Sequence, residues 1–504
     1  MNRDHEPILL ETFNGLYDRG SSDTCPQDHF SDCENIQFIG TSEFGTRFGI
    51  APHQNVVAPL GDIKRIYNYV TTTANTLLVL IDNAGTGEIY HVVDGTNVFG
   101  PILSIAGMED FAFAPYAGRA YISPFKTYGT SPNTQEKGMQ NEFLYVYLGD
   151  GTAARKAGGD PPGAGTLTIA NGTGDTDAGF HLFGVVYETD TGFLTEPSFL
   201  TGFTTSAGNG VSISNIPISP DAFVIARRLV ATRAITNYNG DTTGYTYYFI
   251  PSGRIDNNVD TFLNNITFFD VDLVEDASHL FDIFADIPAG AALTIYHNRL
   301  CLSTTFDDIS ITRVSAEGEP EVFNEIDGFL IAPLDGNPIT NAQEMRDVLY
   351  VFKRNRTLSF VDNGDVPTTW PMTFIDYGLG CPVHGIAVVI DSGSSSVDYL
   401  IVASYRGIMI FNGTYQDMEL SWKIKDFWAA QDATLFRRIQ ILDDTVDKII
   451  YATLPDYTLL VGDYGNGKDP EKIRWTPVTY DVRVNTIALI NVNQLIIGSD
   501  LLMV

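Results

Sequence analysis

Cysteine and tryptophan are scarce in this chain of 504 residues, at four each, and charged residues make up only 18% of it. The cysteines, Cys25, Cys33, Cys301 and Cys381, form no CxxC pair and have no histidine at zinc spacing, which removes the usual thiolate metal centres. Cys25 and Cys33 are close enough in sequence to bridge, although free thiols are the expectation in a reducing compartment. No stretch approaches the roughly 20 consecutive apolar residues that span a bilayer, and the N-terminus MNRDHEPILLETF has no apolar signal core. A protein made in a cytoplasm, not inserted in a membrane and not secreted by the usual route, is expected.

Chemical signatures are equally thin. The eight histidines, His5, His29, His53, His91, His181, His279, His297 and His384, include no HExxH motif and no pair four residues apart. GxSxG, GxxxxGK[ST] and a GxGxxG following a strand are all missing, so nucleophile-elbow and phosphate-cradle chemistry have no starting point. Asp/Asn clusters occur at Asp256-Asn257-Asn258 with Asp260, at Asp362-Asn363-Gly364-Asp365, and at Asp463-Tyr464-Gly465-Asn466-Gly467 with Asp469. None has the calcium-loop spacing, and ordinary Asx turns account for them. The 62 acids make a chance carboxylate pair inevitable, but no sialidase-type repeat is present, and Trp370, Trp422, Trp428 and Trp475 are few for sugar platforms. No catalytic, cofactor-binding or metal-ligating residue is assigned, and the chain is read as a non-enzyme.

What the chain does have is acid, turn formers and short apolar runs. The 62 acids against 30 bases leave a net charge of -32, which argues against a basic phosphate-binding surface. Strand signals recur: Ile63 to Val70, Thr76 to Ile81, Glu88 to Val93, Ala112 to Ala114, Ala120 to Ile122 and Phe143 to Tyr147, with hairpin signals at 83–87 and 94–95. Later come the pairs 348–352 with 358–361, 400–403 with 408–411, 448–453 with 457–461, and 494–497 with 501–504. Their recurrence about every 45–50 residues predicts the blades of a β-propeller, five to seven in number.

The tract GDGTAARKAGGDPPGAG over 149–165 reads as a boundary. After it, longer alternating strands (166–169, 179–189, 211–213, 222–231, 245–250) predict an inserted immunoglobulin- or fibronectin-like β-sandwich. The expected organisation is an N-terminal arm and ring-closing strand (1–57), a first propeller part (58–160), the inserted sandwich (161–285) and a second propeller part (286–504). Because an apolar strand stops at Val504, another segment is expected to cover that edge, and an N-terminal strand closing the ring is the simplest solution. Helix is expected only at Asp276 to Phe284 and Asp417 to Ala430, as packing elements.

Two segments carry a family resemblance. One has Gly378-Leu379-Gly380-Cys381, then Tyr405, Gly407, Ile408, Phe411 and Gly413, then Leu420, Ser421 and Ile424. The other, near the N-terminus, has Phe13-Asn14-Gly15-Leu16, then Asp28 to Ile36, then Gly45-Thr46-Arg47-Phe48-Gly49. In their order they resemble the β-propeller proteins of phage tails and head-to-tail connections, the nozzle or hub family. The resemblance implies a structural virion protein, assembled in the host cytoplasm, forming a homo-oligomeric six-fold ring beside the portal, the adaptor and other tail proteins, with the tail fibres as a further candidate partner. Such a ring would line the DNA exit channel, and six copies carry 6 × (-32) = -192 charges. DNA within a Debye length of roughly 8 Å is then repelled and passes without specific binding. The alternatives are a receptor- or glycan-binding propeller adhesin and, third, a glycosidase.

Overall fold

Asn, Asp and Gly at the tips of short apolar runs fold this chain into many small antiparallel sheets, and the computed structural model is all-β, with 51% strand and 6% helix. It describes residues 16–18, 29–30, 34–39, 43–46, 61–70, 75–93, 98–130, 134–163, 165–383, 385–389, 397–465, 467–490 and 494–499. The chain divides into two compact units, one of residues 1–155, 288–312 and 330–504 and one of residues 156–287 and 313–329. The first crossing, after Arg155, falls within the Gly/Pro tract at 149–165.

In the first unit each sheet is a meander of consecutive strands. The first sheet is Asp62–Val70, Asn75–Asn83, Thr86–Val92 and Val98–Ala106, in that order. In the second, Asp110–Tyr116 pairs with Arg119–Tyr128, which carries both Gln135–Gly138 and Tyr145–Tyr147 along its other edge. The third opens with Gly290–Tyr296 and Arg299–Thr305. The fourth is Ile339–Met345, Val348–Lys353, Thr357–Phe360 and Met372–Asp376. Ala387–Val389, Tyr399–Ala403 and Ile408–Phe411 form the fifth. The sixth is Ile441–Asp444, Ile449–Thr453, Leu459–Asp463 and Arg474–Val478, and the seventh pairs Thr486–Ile490 with Gln494–Gly498.

Packing explains the sequence of the inner strands. The run Leu77 to Ile81 is apolar throughout because both faces of its sheet are covered, and all five residues are at most 3% exposed. Leu78 and Leu80 pack with Phe111, Ala120 and Ile122 of the second sheet, while Leu77, Val79 and Ile81 pack with Ala488, Ile490 and Ile496 of the seventh. The sixth sheet divides likewise: Ile450 and Leu460 share a core with the fifth sheet, and Leu459 shares one with Ile487 and Ile497. A period of two with both faces apolar is what a sheet wedged between two others requires, and each buried Leu or Ile contributes about 1.5–3 kcal/mol.

Hydrogen bonds join each sheet to the next. Tyr69 donates to the Gly118 carbonyl, Ser123 to Gly290, Thr304 to Ile339 and Thr340 to Cys381. The Ile441 amide donates to Gly385. Gln440, 5% exposed, accepts from Thr486 and Ile487 and donates to the Ile66 carbonyl, so one side chain links the sixth, seventh and first sheets.

The second unit contains a three-stranded sheet ordered Thr168–Gly172, Gly210–Ser214, Phe262–Ile266, and a four-stranded sheet ordered Thr201–Thr205, Gly179–Thr189, Val224–Thr232, Tyr247–Ile255. Val211, Ile213 and Ile266 from the first share one core with Phe183, Val185, Leu229 and Ile250 from the second. Residues 313–329 belong here, which corrects their expected place in the 286–504 part: the Phe284 amide donates to Phe323 and Val322 packs on Leu280 and Ile283.

The helix expectations need correction too. Asp276 to Phe284 forms only the 3-10 turn Ser278–Asp282, because Ile283 is already paired with Asn324 in extended form. Asp417 to Ala430 is helical only over Lys425–Ala429, preceded by a 3-10 turn at Trp422–Ile424, because the Gln416 and Leu420 amides donate to Ile410 and Ile408 and hold that stretch along the fifth sheet. Strand Gln494–Gly498 pairs with Thr486–Ile490, while its expected partner at 501–504 lies outside the described residues, as do the signals at 94–95 and the hairpin tip at 392–396.

Candidate functional site

The two segments that carry the resemblance meet in the first unit. Gly378 and Leu379 donate their amides to Asp376 Oδ1, and the Cys381 amide then donates to the Lys353 carbonyl. A Cβ on Gly380 would lie 2.1 Å from the Lys353 oxygen and 2.5 Å from the Arg356 nitrogen, so the turn seats directly on backbone and only glycine fits. Gly407 is constrained similarly, with Ser421 Oγ 2.5 Å from its would-be Cβ. Ile408, Phe411, Leu420 and Ile424 are fully buried in the same core as Cys381.

Leu16, from the N-terminal segment, is buried in that core, with Phe30 and Ile36 packed against it. Its amide donates to Trp475 (3.0 Å), Asp18 donates to Lys423 (3.0 Å) and Asn35 donates to Pro477 (3.0 Å). Trp475 Nε1 in turn donates to the Leu420 carbonyl, and Tyr17 sets its ring edge-on to Trp422. The described part of the N-terminal segment therefore lies along Arg474–Val478, the outer strand of the sixth sheet. Phe13 to Gly15, Asp28, 31–33 and Arg47 to Gly49 lie outside the described residues.

The described residues of this unit line several cavities, two of them drawing on many sheets. The first strands of all seven sheets line one of about 510 Å³, with Asn68, Gln343 and Gln440 among its polar walls. The second, about 470 Å³, is lined by residues of the first, second, sixth and seventh sheets and their adjoining turns, and carries Lys64, Arg65, Arg437, Arg438 and Arg483. Its acids are Asp62, Asp82, Glu109, Asp110 and Glu136. Arg65, 4% exposed, holds Asp110 with its Nε and Nη2, and although burial disfavours its charge, the Asp110 carboxylate keeps the guanidinium more firmly protonated than usual. Burial pushes the nearby Tyr67 phenol upward, against the lowering pull of Arg65. The composition hid this cluster, since the overall charge of -32 masks five cations drawn from distant parts of the chain, the neighbours Lys64-Arg65, the neighbours Arg437-Arg438, and Arg483.

The other residues singled out from sequence are apart. Asn257 Oδ1 accepts from Val259 and Asp260, Asp362 from Gly364, Asn363 from Asp365, Asp463 from Gly465, and Asp469 from Glu471, which are Asx turns. The Asn257 loop also closes over Arg227, which is 0% exposed and donates to the carbonyls of Pro217, Asn257 and Asp260. Cys301 and Cys381 are free and buried, and burial raises both thiols, that of Cys381 to about 12. Cys25 and Cys33 lie outside the described residues. His91 is held between the Tyr147 hydroxyl (2.7 Å) and Thr76 (3.0 Å), and His181 is fully buried against Thr232. Sequence reading missed one grouping: His297, Glu344 and Asp347 have possible ligand atoms within 4.8 Å of one another. They come from the hairpin tips of the third and fourth sheets, so no short-range spacing announces them. Among the described residues no helix is long and apolar enough to cross a membrane.

No family model matches the chain, and no curated protein matches it. Among solved structures, apo AztD from Citrobacter koseri is similar at 10% identity and a TM-score of 0.33, over 84% of this chain and 87% of that one. A second AztD structure from Citrobacter koseri has 10% identity and a TM-score of 0.31 over 88% and 95%. Hsv2 from Kluyvelomyces marxianus has 9% identity and a TM-score of 0.29 over 84% and 98%.

Proposed function

We propose that the first unit is a closed seven-bladed β-propeller carrying the second unit as an inserted β-sandwich, and that the protein is a passive structural component of a phage tail. The seven meander sheets, the cavity their first strands share and the Gln440 link between the last two sheets and the first support the propeller. Two sheets around one core support the sandwich. Its strand order departs from the immunoglobulin pattern, with Gly210–Ser214 flanked by the first and last strands of the block.

The observation that carries the tail assignment is the meeting of the two resembling segments. Leu16 and the stretch from Cys381 to Ile424, at opposite ends of the sequence, share one core and are hydrogen-bonded through Trp475 and Lys423. A pattern split in sequence but joined in space acts as one folding unit, which favours common descent with the nozzle and hub proteins over two coincidental matches. In this reading the protein forms a six-fold ring with portal or adaptor and other tail proteins as neighbours, in the virion, and DNA passes it by charge repulsion. Analytical ultracentrifugation and negative-stain imaging of the purified protein, together with location of a tagged copy in virions, test it. Rings of six and tag density at the tail are the expected result. A solitary protein that turns over a glycan would overturn it.

A further inference from the structure

We propose that His297, Glu344 and Asp347 form a binding site for one divalent first-row transition-metal ion, zinc in preference to calcium or magnesium. His297 and Asn298 are the tip residues between Gly290–Tyr296 and Arg299–Thr305, and Arg346 and Asp347 are those between Ile339–Met345 and Val348–Lys353. All four have positive φ, from 45° to 61°, so both tips are tight two-residue turns held by the strands they join. The His297 amide donates to Glu344 Oε2 at 3.2 Å, which draws one tip against the other sheet. His297 Nε2 lies 3.8 Å from Asp347 Oδ1, and candidate ligand atoms of all three side chains lie within 4.8 Å of one another. Nitrogen and oxygen ligands about 2.0–2.2 Å from a shared zinc ion stand roughly 3–4 Å apart, so small side-chain rotations close the site.

The surroundings of the imidazole point the same way. His297 lies flat on Tyr296, with ring centres 4.2 Å apart and planes 19° apart. Tyr296 is buried, and its hydroxyl donates to the Asp347 carbonyl at 3.1 Å and accepts from the Asp362 amide at 2.9 Å. One phenol thus sets the plane of the imidazole and ties down an acid on each side of it. Behind the ring, Asp362 Oδ2 is 3.8 Å from Nδ1, on a side chain only 12% exposed. An acid behind one ring nitrogen, with further acids before the other, is the carboxylate–histidine–metal arrangement, in which the rear acid orients the ring and raises its basicity. Among the described residues no lysine or arginine forms an ion pair with Glu344 or Asp347, and Arg346, next in sequence, turns its Nη2 to the Asp398 carbonyl. Asp347, with its side chain 89% exposed, leaves the site open to an ion from solvent. One imidazole with two carboxylates suits zinc or manganese better than the hard ions that take oxygen alone, and three protein ligands leave room for water. The site stands apart from the tail assignment, and its failure leaves that reading untouched.

The test is calorimetric titration of the full chain, stripped of metal with a chelator, with zinc, manganese, calcium and magnesium chlorides in about 0.15 M salt, which screens loose attraction to the acidic surface. One zinc ion per chain is expected at about 10 μM or tighter, with manganese weaker and calcium and magnesium at least about tenfold weaker than zinc. His297→Gln and Asp347→Asn should each weaken zinc binding about tenfold or more, and Asp362→Asn, behind the ring, about tenfold. Zinc should raise the melting temperature of the wild type but not that of His297→Gln, whose metal-free melting temperature stays at the wild-type value. Cobalt in place of zinc should give a visible spectrum without a thiolate charge-transfer band, which separates this site from the cysteines. No zinc binding at about 100 μM, zinc binding unchanged in His297→Gln, calcium binding as tight as zinc, or a thiolate band overturns the proposal.

Discussion

At the scale of single residues, the buried polar groups are the most exposed to test. His91 is 2% exposed and burial lowers its pKa, so the unfolded chain takes up a proton more readily than the folded one. Its contribution is whole above the ordinary imidazole value of about 6.5 and is lost as the pH falls through the lower folded value. The unfolding midpoint of the wild type should therefore decline from pH 7 to pH 5, and His91→Gln should flatten that decline by at most about 1.4 kcal/mol per pH unit. Denaturant titrations across that range measure both. Arg227 presents a different balance: its charge is buried against carbonyls, and burial lowers its pKa. Arg227→Ala leaves those carbonyls unpaired and should cost about 3–5 kcal/mol, read as a lower urea midpoint.

At the scale of elements, turns decide what the chain can do. The Gly378-to-Cys381 turn sits on the Lys353–Arg356 backbone, so Gly380→Ala must push two peptide groups apart. A loss of about 2–4 kcal/mol is expected in calorimetry, whereas Ala at Gly364, where nothing lies within 4 Å but φ is +85°, should cost only about 1 kcal/mol. Turns were also the most legible feature in sequence. The pairs 348–352 with 358–361, 400–403 with 408–411 and 448–453 with 457–461 correspond to strands paired in the structure, because Asn, Asp and Gly at hairpin tips report local geometry. What was illegible depends on distant partners. Residues 313–329 look like any other strand-and-turn stretch, and their place with Leu280 and Phe284 is set by packing alone. Likewise Leu420 sits at helical spacing with Ile424, yet its amide is taken by Ile408. The arginine-lined cavity assembles residues from 64 to 483, and no window of sequence contains it.

For the whole molecule, the net charge of -32 sets how copies approach one another. Self-association is opposed by repulsion over a Debye length, so raising salt from about 0.01 M to about 0.15 M, which shortens that length from about 30 Å to about 8 Å, should shift the protein toward larger assemblies. Mass photometry at matched protein concentration measures the shift, and an oligomer that dissolves on adding salt would contradict it. The seat of Leu16 against Trp475 has a consequence for biogenesis. That leucine is translated 475 − 16 = 459 residues before Trp475, so at about 5–20 residues per second the nascent segment waits roughly half a minute or more with its apolar face uncovered. Maturation in the cell is thus paced by translation through Trp475, and a ribosome stalled ahead of it would leave the Leu16 amide without its carbonyl partner.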